Sequence, residues 1–300
     1  MNANNGPKLL FVINPGAGTN NTSWEDIARD HFKEKNFIVD FHNLDKKPDV
    51  EKLKRHIHNS KPNRVIAVGG DGTVTLVAKL IAGTDMALGI LAAGSANGMA
   101  RELNIPEDPA AALSVIENGE IKSCDMIRIN VQDACLHLAD IGLNAQLIKY
   151  FDEGKLRGKL GYAKVVLKTL LRKRKVQLTI QGENAEIKTE ALMVVLANAS
   201  KYGTGAIINP EGKLDDGFFE IVIVKHLTIA YLLKVLFHIR HSDPKDIEIF
   251  HAKKVQIDTH RHMHFQIDGE YKGKVKHIDA SILPGHIRII LPPAANSSAG

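Results

Sequence analysis

The chain has 300 residues, 44% of them hydrophobic and 24% charged, and carries a formal net charge of +5. That length suits one large domain or two medium ones. Aromatic residues, at 5%, are too few for a protein that stacks single-stranded bases on rings. The charge excess is too small to argue for a nucleic-acid partner, so none is expected; it suits nucleotides, phosphates and acidic lipid surfaces. The two cysteines, Cys124 and Cys135, stand outside any CxxC pair, which argues against a zinc site or a disulfide framework and fits a reducing, cytoplasmic compartment. Met1 to Lys8 lack an apolar signal core, and no stretch approaches the ~20 apolar residues that span a bilayer.

In chain order, Leu9–Ile13 is a continuous apolar run, the mark of a strand buried on both faces. Thr22 and Glu25 are spaced as a capping box for a helix starting near Trp24. Phe37–Phe41 reads as a second strand, and Pro48 opens a helix with the stripe Val50, Leu53, Ile57. Val65–Val68 is a third buried strand, followed by a glycine turn and a helix over Val74–Ala82 that Gly83 ends. Ala87–Ala92 is a fourth strand, and Asp108 with Pro109 caps a helix stopping before Gly119. Strand, loop and helix in repetition imply a three-layer α/β domain around a parallel sheet. From about Asp125 strands dominate, at Ile127–Val131, Leu136–Ile141, Val176–Ile180, Ala191–Leu196, Phe218–Val224, Val255–Asp258, Met263–Ile267 and Ala280–Leu283. Many alternate apolar and polar residues, as antiparallel strands do. The boundary is therefore placed near residue 125, dividing 1–125 from a β-rich 126–281.

Three glycine-bearing loops each follow a strand of the first half, where open α/β sheets bind ligands. Gly69-Gly70-Asp71-Gly72-Thr73 carries the most information. Its glycines let backbone N–H groups approach phosphate oxygens with no Cβ in the way, and the next helix adds its positive N-terminus. An acid in such a loop makes sense if Asp71 holds Mg²⁺ or accepts a proton. Gly94-Ser95-Ala96-Asn97-Gly98 repeats the geometry, with Ser95 and Asn97 able to hydrogen-bond a nucleotide. Asn14-Pro15-Gly16-Ala17-Gly18 is the third; none of the loops is a dinucleotide GxGxxG or a Walker A sequence. Taken alone, Asp215-Asp216-Gly217 and Asp268-Gly269-Glu270 read as turns beside strands.

Together, these motifs resemble the diacylglycerol kinase catalytic-domain family, which includes sphingosine kinases and bacterial lipid kinases. The resemblance runs through nearly the whole chain: Asn14–Gly18, Gly69–Thr73, Gly94–Asn97, Gly158–Tyr162 as the interdomain segment, Leu214–Gly217 as the magnesium motif, and Asp268–Glu270, in that order. It implies a Rossmann-like first domain, to which a segment near 282–292 returns, and a β-sandwich-like second domain bearing the lipid site. It implies an ATP- and Mg²⁺-dependent lipid kinase acting on a diacylglycerol- or sphingoid-like hydroxyl. Glu270 is then the general base, with Asp71 orienting the nucleotide and its Mg²⁺ or sharing that role. Asn14, Gly69, Gly70, Asp71, Gly72, Thr73, Gly94, Ser95 and Asn97 line ATP, and Arg157 and Lys159 reach the transferring phosphate. Asp216, with backbone carbonyls near Lys213 and Phe218, holds a structural Mg²⁺, and Asp125 links that ion to the site. The family makes a homodimer plausible. Departures from its pattern are Gly98 where many members have Asp, Ala92 for a proline, and Asn43 for a threonine after the second strand.

Tyr162–Leu178 mixes Val165, Leu167, Leu170 and Leu171 with Lys164, Lys168, Arg172, Lys173, Arg174 and Lys175. A basic amphipathic segment of this kind lies on anionic membrane surfaces, so transient peripheral membrane association is expected. Because NAD kinases and some sugar kinases share a Gly-Gly-Asp-Gly loop, an NAD kinase-like or sugar kinase is the alternative enzyme. A nucleotide-binding sensor without transfer is the non-enzymatic one.

Overall fold

The computed structural model describes residues 6–16, 23–152, 175–183, 185–200, 209, 212–226 and 247–293. The chain divides into two compact units, residues 1–124 with 285–300, and residues 125–284.

In the first unit β1 (Lys8–Ile13), β2 (Ile38–Asn43), β3 (Arg64–Gly69) and β4 (Ala87–Ala92) form a parallel sheet in the order β2-β1-β3-β4. The end of the last strand, β14 (Glu270–Leu291), joins β4 in parallel through Arg288 and Ile289. The run Leu9–Ile13 is buried throughout, so its residues serve cores on both faces of the sheet, as a parallel strand requires. On one face Leu9, Phe11, Ile66, Val68 and Leu91 pack with Ala28 and Phe32 of α1 (Trp24–Phe32) and Leu113 and Ile116 of α5 (Pro109–Asn118). Fully burying a side chain such as Phe11 contributes about 2–3 kcal/mol.

Helix starts follow local chemistry. The Ser23 hydroxyl accepts from the Asp26 N–H at 3.2 Å and caps α1. The cap is therefore Ser23, not the expected Thr22, and Glu25 instead pairs with Arg29 one turn on. Asp49 caps α2 (Val50–Ser60), and Asp108 caps α5. The third helix, α3 (Asp71–Ile81), begins three residues before the expected Val74. Thr73 and Val74 N–H both donate to the Gly70 carbonyl, so the glycine turn is itself the first turn of the helix. A short α4 (Gly98–Glu102) follows β4.

The second unit contains β5 (Glu120–Ile129, shared with the first), β6 (Asp133–Cys135), β7 (Leu138–Gly142), α6 (Leu143–Asp152), β8 (Val176–Gly182), β9 (Glu186–Ala191), β10 (Met193–Ala197), β11 (Phe219–Val224), β12 (Ile247–Ala252), β13 (Lys254–Ile267) and most of β14. The order β12-β11-β10-β7-β13-β14 is antiparallel. β13 merges two expected strands. Its first half pairs with β8 and its second with β7, and its register against β14 shifts between Asp258 and Met263. A register shift of this kind lets one strand pair with different neighbours along its length. β10 alternates between cores: Val194 and Leu196 join one cluster, and Met193, Val195 and Ala197 the other.

Val131, expected at the end of a strand, is 92% exposed, because Asn130 turns the chain at φ 51°. The segment Gly158–Tyr162 lies outside the described residues, as does Tyr162–Leu178 up to Arg174. Among the described residues no helix is long and apolar enough to cross a membrane.

Candidate active site

Parallel pairing aligns the strand ends of the first unit: Ile13 lies opposite Asn43 and Val68, and Gly69 opposite Ala92. The three glycine-bearing loops therefore leave the sheet side by side. The Asn14 amide Nδ2 is 3.4 Å from the Thr73 hydroxyl, and its Oδ1 accepts from Gly16 N–H. Asn43, exposed at the end of β2, lies one strand further out.

Two loops meet backbone to backbone. A Cβ on Gly94 would lie 2.4 Å from the Gly70 Cα, and one on Gly69 would lie 2.4 Å from the Thr73 hydroxyl. Gly72 differs: it is exposed, and a Cβ there would meet nothing within 4 Å. Packing does not require glycine at 72, on the first turn of α3. The bare backbone there is open to a ligand, at a helix end whose N–H groups and dipole favour anions. Ser95 and Ala96 are exposed beside it.

The polar side chains of this region are more committed than their sequence suggests. Asp71 accepts from the N–H of Gly98 through Oδ2 and of Met99 through Oδ1, both at 2.9 Å. Its carboxylate thus binds the start of α4. Asn97 sits in the left-handed region at φ 52° and bonds the Gly94 backbone with both ends of its amide, at 2.8 and 2.9 Å. Both residues shape the loops.

In the second unit Asp268 and Gly269 are the two central residues of a tight hairpin, with φ of 50° and 85°. This is the Asp-Gly turn that two-residue hairpins favour, and Glu270 follows as the first residue of β14. Glu270 is exposed, and its Oε2 lies 3.0 Å from the Lys272 Nζ. Asp268 is buried, and its carboxylate accepts from Leu136, His137 and Leu138 N–H at 3.0, 2.8 and 3.2 Å and from the Cys135 thiol. Four donors from one segment tie the hairpin down.

That segment continues to the loop before β11. The amide of Asn198, fully buried, donates to the Leu136 and Asp125 carbonyls at 2.8 Å each. Asp125 N–H donates to the Leu214 carbonyl, and its carboxylate accepts from Gly217 N–H at 2.7 Å. The loop presents Lys213, Asp215, Asp216 and Phe218 outward. Asp216 Oδ1 accepts from Phe218 N–H at 3.0 Å. Among the described residues no three His, Cys, Asp or Glu side chains gather closely enough to hold a metal. The Asp216 carboxylate and the carbonyls beside it are nevertheless an all-oxygen set, the chemistry a hard divalent cation takes. Beneath the loop lies buried Glu220, held by Asn209 and by His251 at 2.9 Å, its pKa raised by burial.

Asn14, Gly69–Thr73 and Gly94–Asn97 are thus brought together, and Asp216 and Glu270 are joined through Asp125, Asn198 and Asp268. Arg157 and Lys159 lie outside the described residues. Sequence reasoning passed over Asn198 and gave Asp268 no role of its own beyond the motif, and the partners of both are more than 60 residues away. Only the position of Asp268 beside Glu270 could have pointed to it. Among the described residues, His137 Nε2, Asn198 Oδ1 and Asn209 Oδ1 are buried without a hydrogen-bond partner.

Residues 8–129 match the model of the diacylglycerol kinase catalytic domain, and residues 138–291 the YegS C-terminal NAD kinase beta sandwich-like domain. "Probable lipid kinase YegS-like" of Klebsiella pneumoniae (strain 342) is 31% identical over 76% of this chain and 78% of its own length. "Probable lipid kinase YegS" of Salmonella schwarzengrund (strain CVM19633) is 27% identical over 96% and 97%. A crystal structure from Bacillus anthracis str. Sterne matches with a TM-score of 0.78 at 25% identity, covering 96% of this chain and 98% of its own. A diacylglycerol kinase structure from the same organism matches with a TM-score of 0.71 at 22% identity over 96% and 98%, a likeness of fold alone.

Proposed function

The chain belongs to the diacylglycerol kinase catalytic-domain family and is a kinase, and from that premise we propose that it transfers the γ-phosphoryl group of ATP to the hydroxyl of a lipid. The observation that carries the reading is the cradle at the sheet's carboxyl edge: Gly70 against Gly94, with the open backbone of Gly72 at the start of α3. Phosphoryl transfer asks mainly for positioning and for positive charge on the migrating group, and this cradle supplies backbone donors without side-chain bulk.

In this reading residues 1–125 bind ATP, and 126–281 supply the acceptor chemistry. Asn14, Gly69, Gly70, Gly72, Thr73, Gly94 and Ser95 line the phosphates. Asp71 and Asn97 hold the loops in shape, Asn43 borders the nucleotide, and Arg157 and Lys159 contact the transferring phosphate. Glu270 takes the proton from the acceptor hydroxyl. The hydroxyl oxygen forms its bond to the γ-phosphorus as the bond to the β–γ bridging oxygen breaks, and ADP leaves. Asp216 with the carbonyls of Lys213 and Phe218 would hold Mg²⁺, which supplies positive charge and fixes the loop when bound. A diacylglycerol- or sphingoid-like lipid reaches the enzyme at an anionic membrane surface. Equal rates on vesicles with and without anionic lipid would refute that meeting place.

The experiment is transfer of labelled phosphate from ATP with Mg²⁺ to a panel of lipid micelles, beside NAD and sugars, for native protein and Glu270→Ala. Label in one lipid, lost by about 10²-fold or more in Glu270→Ala, is the expected result. Label in NAD or a sugar alone would replace the lipid reading with the corresponding kinase. ATP binding with no transfer to any acceptor would favour a sensor.

A further inference from the structure

One buried carboxylate beside the Glu270 hairpin has no part in the roles above. Asp140 lies in the middle of β7, 1% exposed. Its Oδ1 accepts from Ala145 N–H at 2.9 Å at the start of α6. Its Oδ2 accepts from the Asn144 amide at 2.6 Å and from the amide nitrogen Nε2 of Gln266. Gln266 is fully buried on β13, directly opposite Asp140 in the β7–β13 register. The other end of its amide, Oε1, accepts from Gly269 N–H at 2.8 Å, inside the hairpin and one residue before Glu270.

The polarity of this chain of bonds is forced. A carboxylate only accepts, so Gln266 must turn its NH₂ toward Asp140. Its carbonyl must then face the hairpin, where Gly269 N–H needs an acceptor. Burial raises the Asp140 carboxyl to about 6, opposed by its bonds to Asn144, Gln266 and Ala145, so near neutral pH it is charged and acts as an acceptor. A buried charge is costly to keep, and an apolar residue at the centre of this sheet would cost less.

We propose that Asp140 and Gln266 are positioning residues: Asp140 sets which end of the Gln266 amide faces the hairpin, and Gln266 thereby holds the Gly269–Glu270 backbone where Glu270 acts. This rests on the reading of Glu270 as base. Asp268 ties one side of the same turn to the Cys135–Leu138 segment, and the Gln266 bond ties the other.

The test is a polarity swap. In Asp140→Asn the remaining oxygen faces the fixed backbone N–H of Ala145, so an NH₂ stands where Gln266 found an acceptor. Gln266 then turns over, and its own NH₂ meets Gly269 N–H, donor against donor. Adding Gln266→Glu restores the pattern, because the new carboxylate accepts from both the asparagine amide and Gly269 N–H. Two readouts are taken: kcat and the KM for ATP with the acceptor lipid from the micelle panel, and hydrogen exchange of the Gly269 amide. Asp140→Asn is expected to lower kcat about tenfold or more, the scale of a misplaced reacting group, with the KM for ATP within about twofold. The Gly269 amide should exchange faster, and the double variant should recover both properties. An unchanged kcat in Asp140→Asn while Glu270→Ala is inactive would overturn the proposal. So would a kcat loss that the double variant fails to restore despite a native melting temperature. Should Glu270→Ala keep full turnover, the base reading falls and exchange alone decides the relay. Gly269 still protected in Asp140→Asn would then overturn it, and protection lost and regained in the double variant would sustain it.

Discussion

Gly72→Ala and Gly94→Ala make the sharpest pair of perturbations, because the same added methyl meets opposite surroundings. At Gly94 the Cβ would sit 2.4 Å from the Gly70 Cα and 3.0 Å from its nitrogen, while ordinary contact begins at 3.4 Å. Backbone faces backbone, so no side chain can swing aside, and the two loops must part by about 1 Å. Overpacking of this kind costs about 1–3 kcal/mol, read as a melting temperature lower by several degrees. At Gly72 the Cβ meets nothing within 4 Å, and the residue already lies in the first turn of α3. Alanine there both restricts the unfolded chain and suits the helix, so stability should hold or rise by about 0.4–1 kcal/mol. Its methyl would nevertheless stand where a phosphate approaches the α3 N-terminus. Thermal denaturation and calorimetric titration with a non-hydrolysable ATP analogue separate the cases. Gly72→Ala should melt at or above the native temperature yet bind the analogue at least about tenfold more weakly, about 1.4 kcal/mol. Gly94→Ala should lose both stability and affinity. Native affinity in a stable Gly72→Ala protein would refute the placement of phosphate over this turn.

Asp268→Ala removes a charged acceptor from three backbone N–H groups and places alanine at φ 50°. A loss of about 3 kcal/mol or more is expected in urea unfolding, and Asp268→Asn should lose less, since asparagine tolerates that φ and keeps one acceptor. Asp216→Ala should abolish any rise in melting temperature with MgCl₂ that native protein shows over EDTA, and an equal rise in both would remove Asp216 from the cation site. Asp140 takes up a proton more readily folded than unfolded, with its carboxyl at about 6 against 3.8. Its contribution to stability is therefore most favourable below about pH 4 and is lost as pH rises through 6, by about 3 kcal/mol. Urea midpoints of Asp140→Asn should show a flatter slope across that window than those of the native protein.

Much was determined by the sequence alone. Continuous apolar runs such as Leu9–Ile13 announce strands buried on both faces, and glycine turns after them announce a parallel sheet with its ligand edge. These are local signals, carried by periodicity and by the backbone freedom of glycine. The ordered motifs pointed to the kinase family that the matches to residues 8–129 and 138–291 show. Tertiary structure decided what the acids do. Asp71 looks in sequence like a ligand for phosphate-bound metal, but its oxygens bind N–H groups 27 and 28 residues away at the start of α4. Asp268 looks like a turn residue, and it is one, but its buried carboxylate also binds a segment about 130 residues earlier. Asp140 and Gln266, 126 residues apart, meet only through the register of β7 on β13. A carboxylate is satisfied by whichever donors the fold delivers to it, and strand register, not neighbouring sequence, makes that delivery.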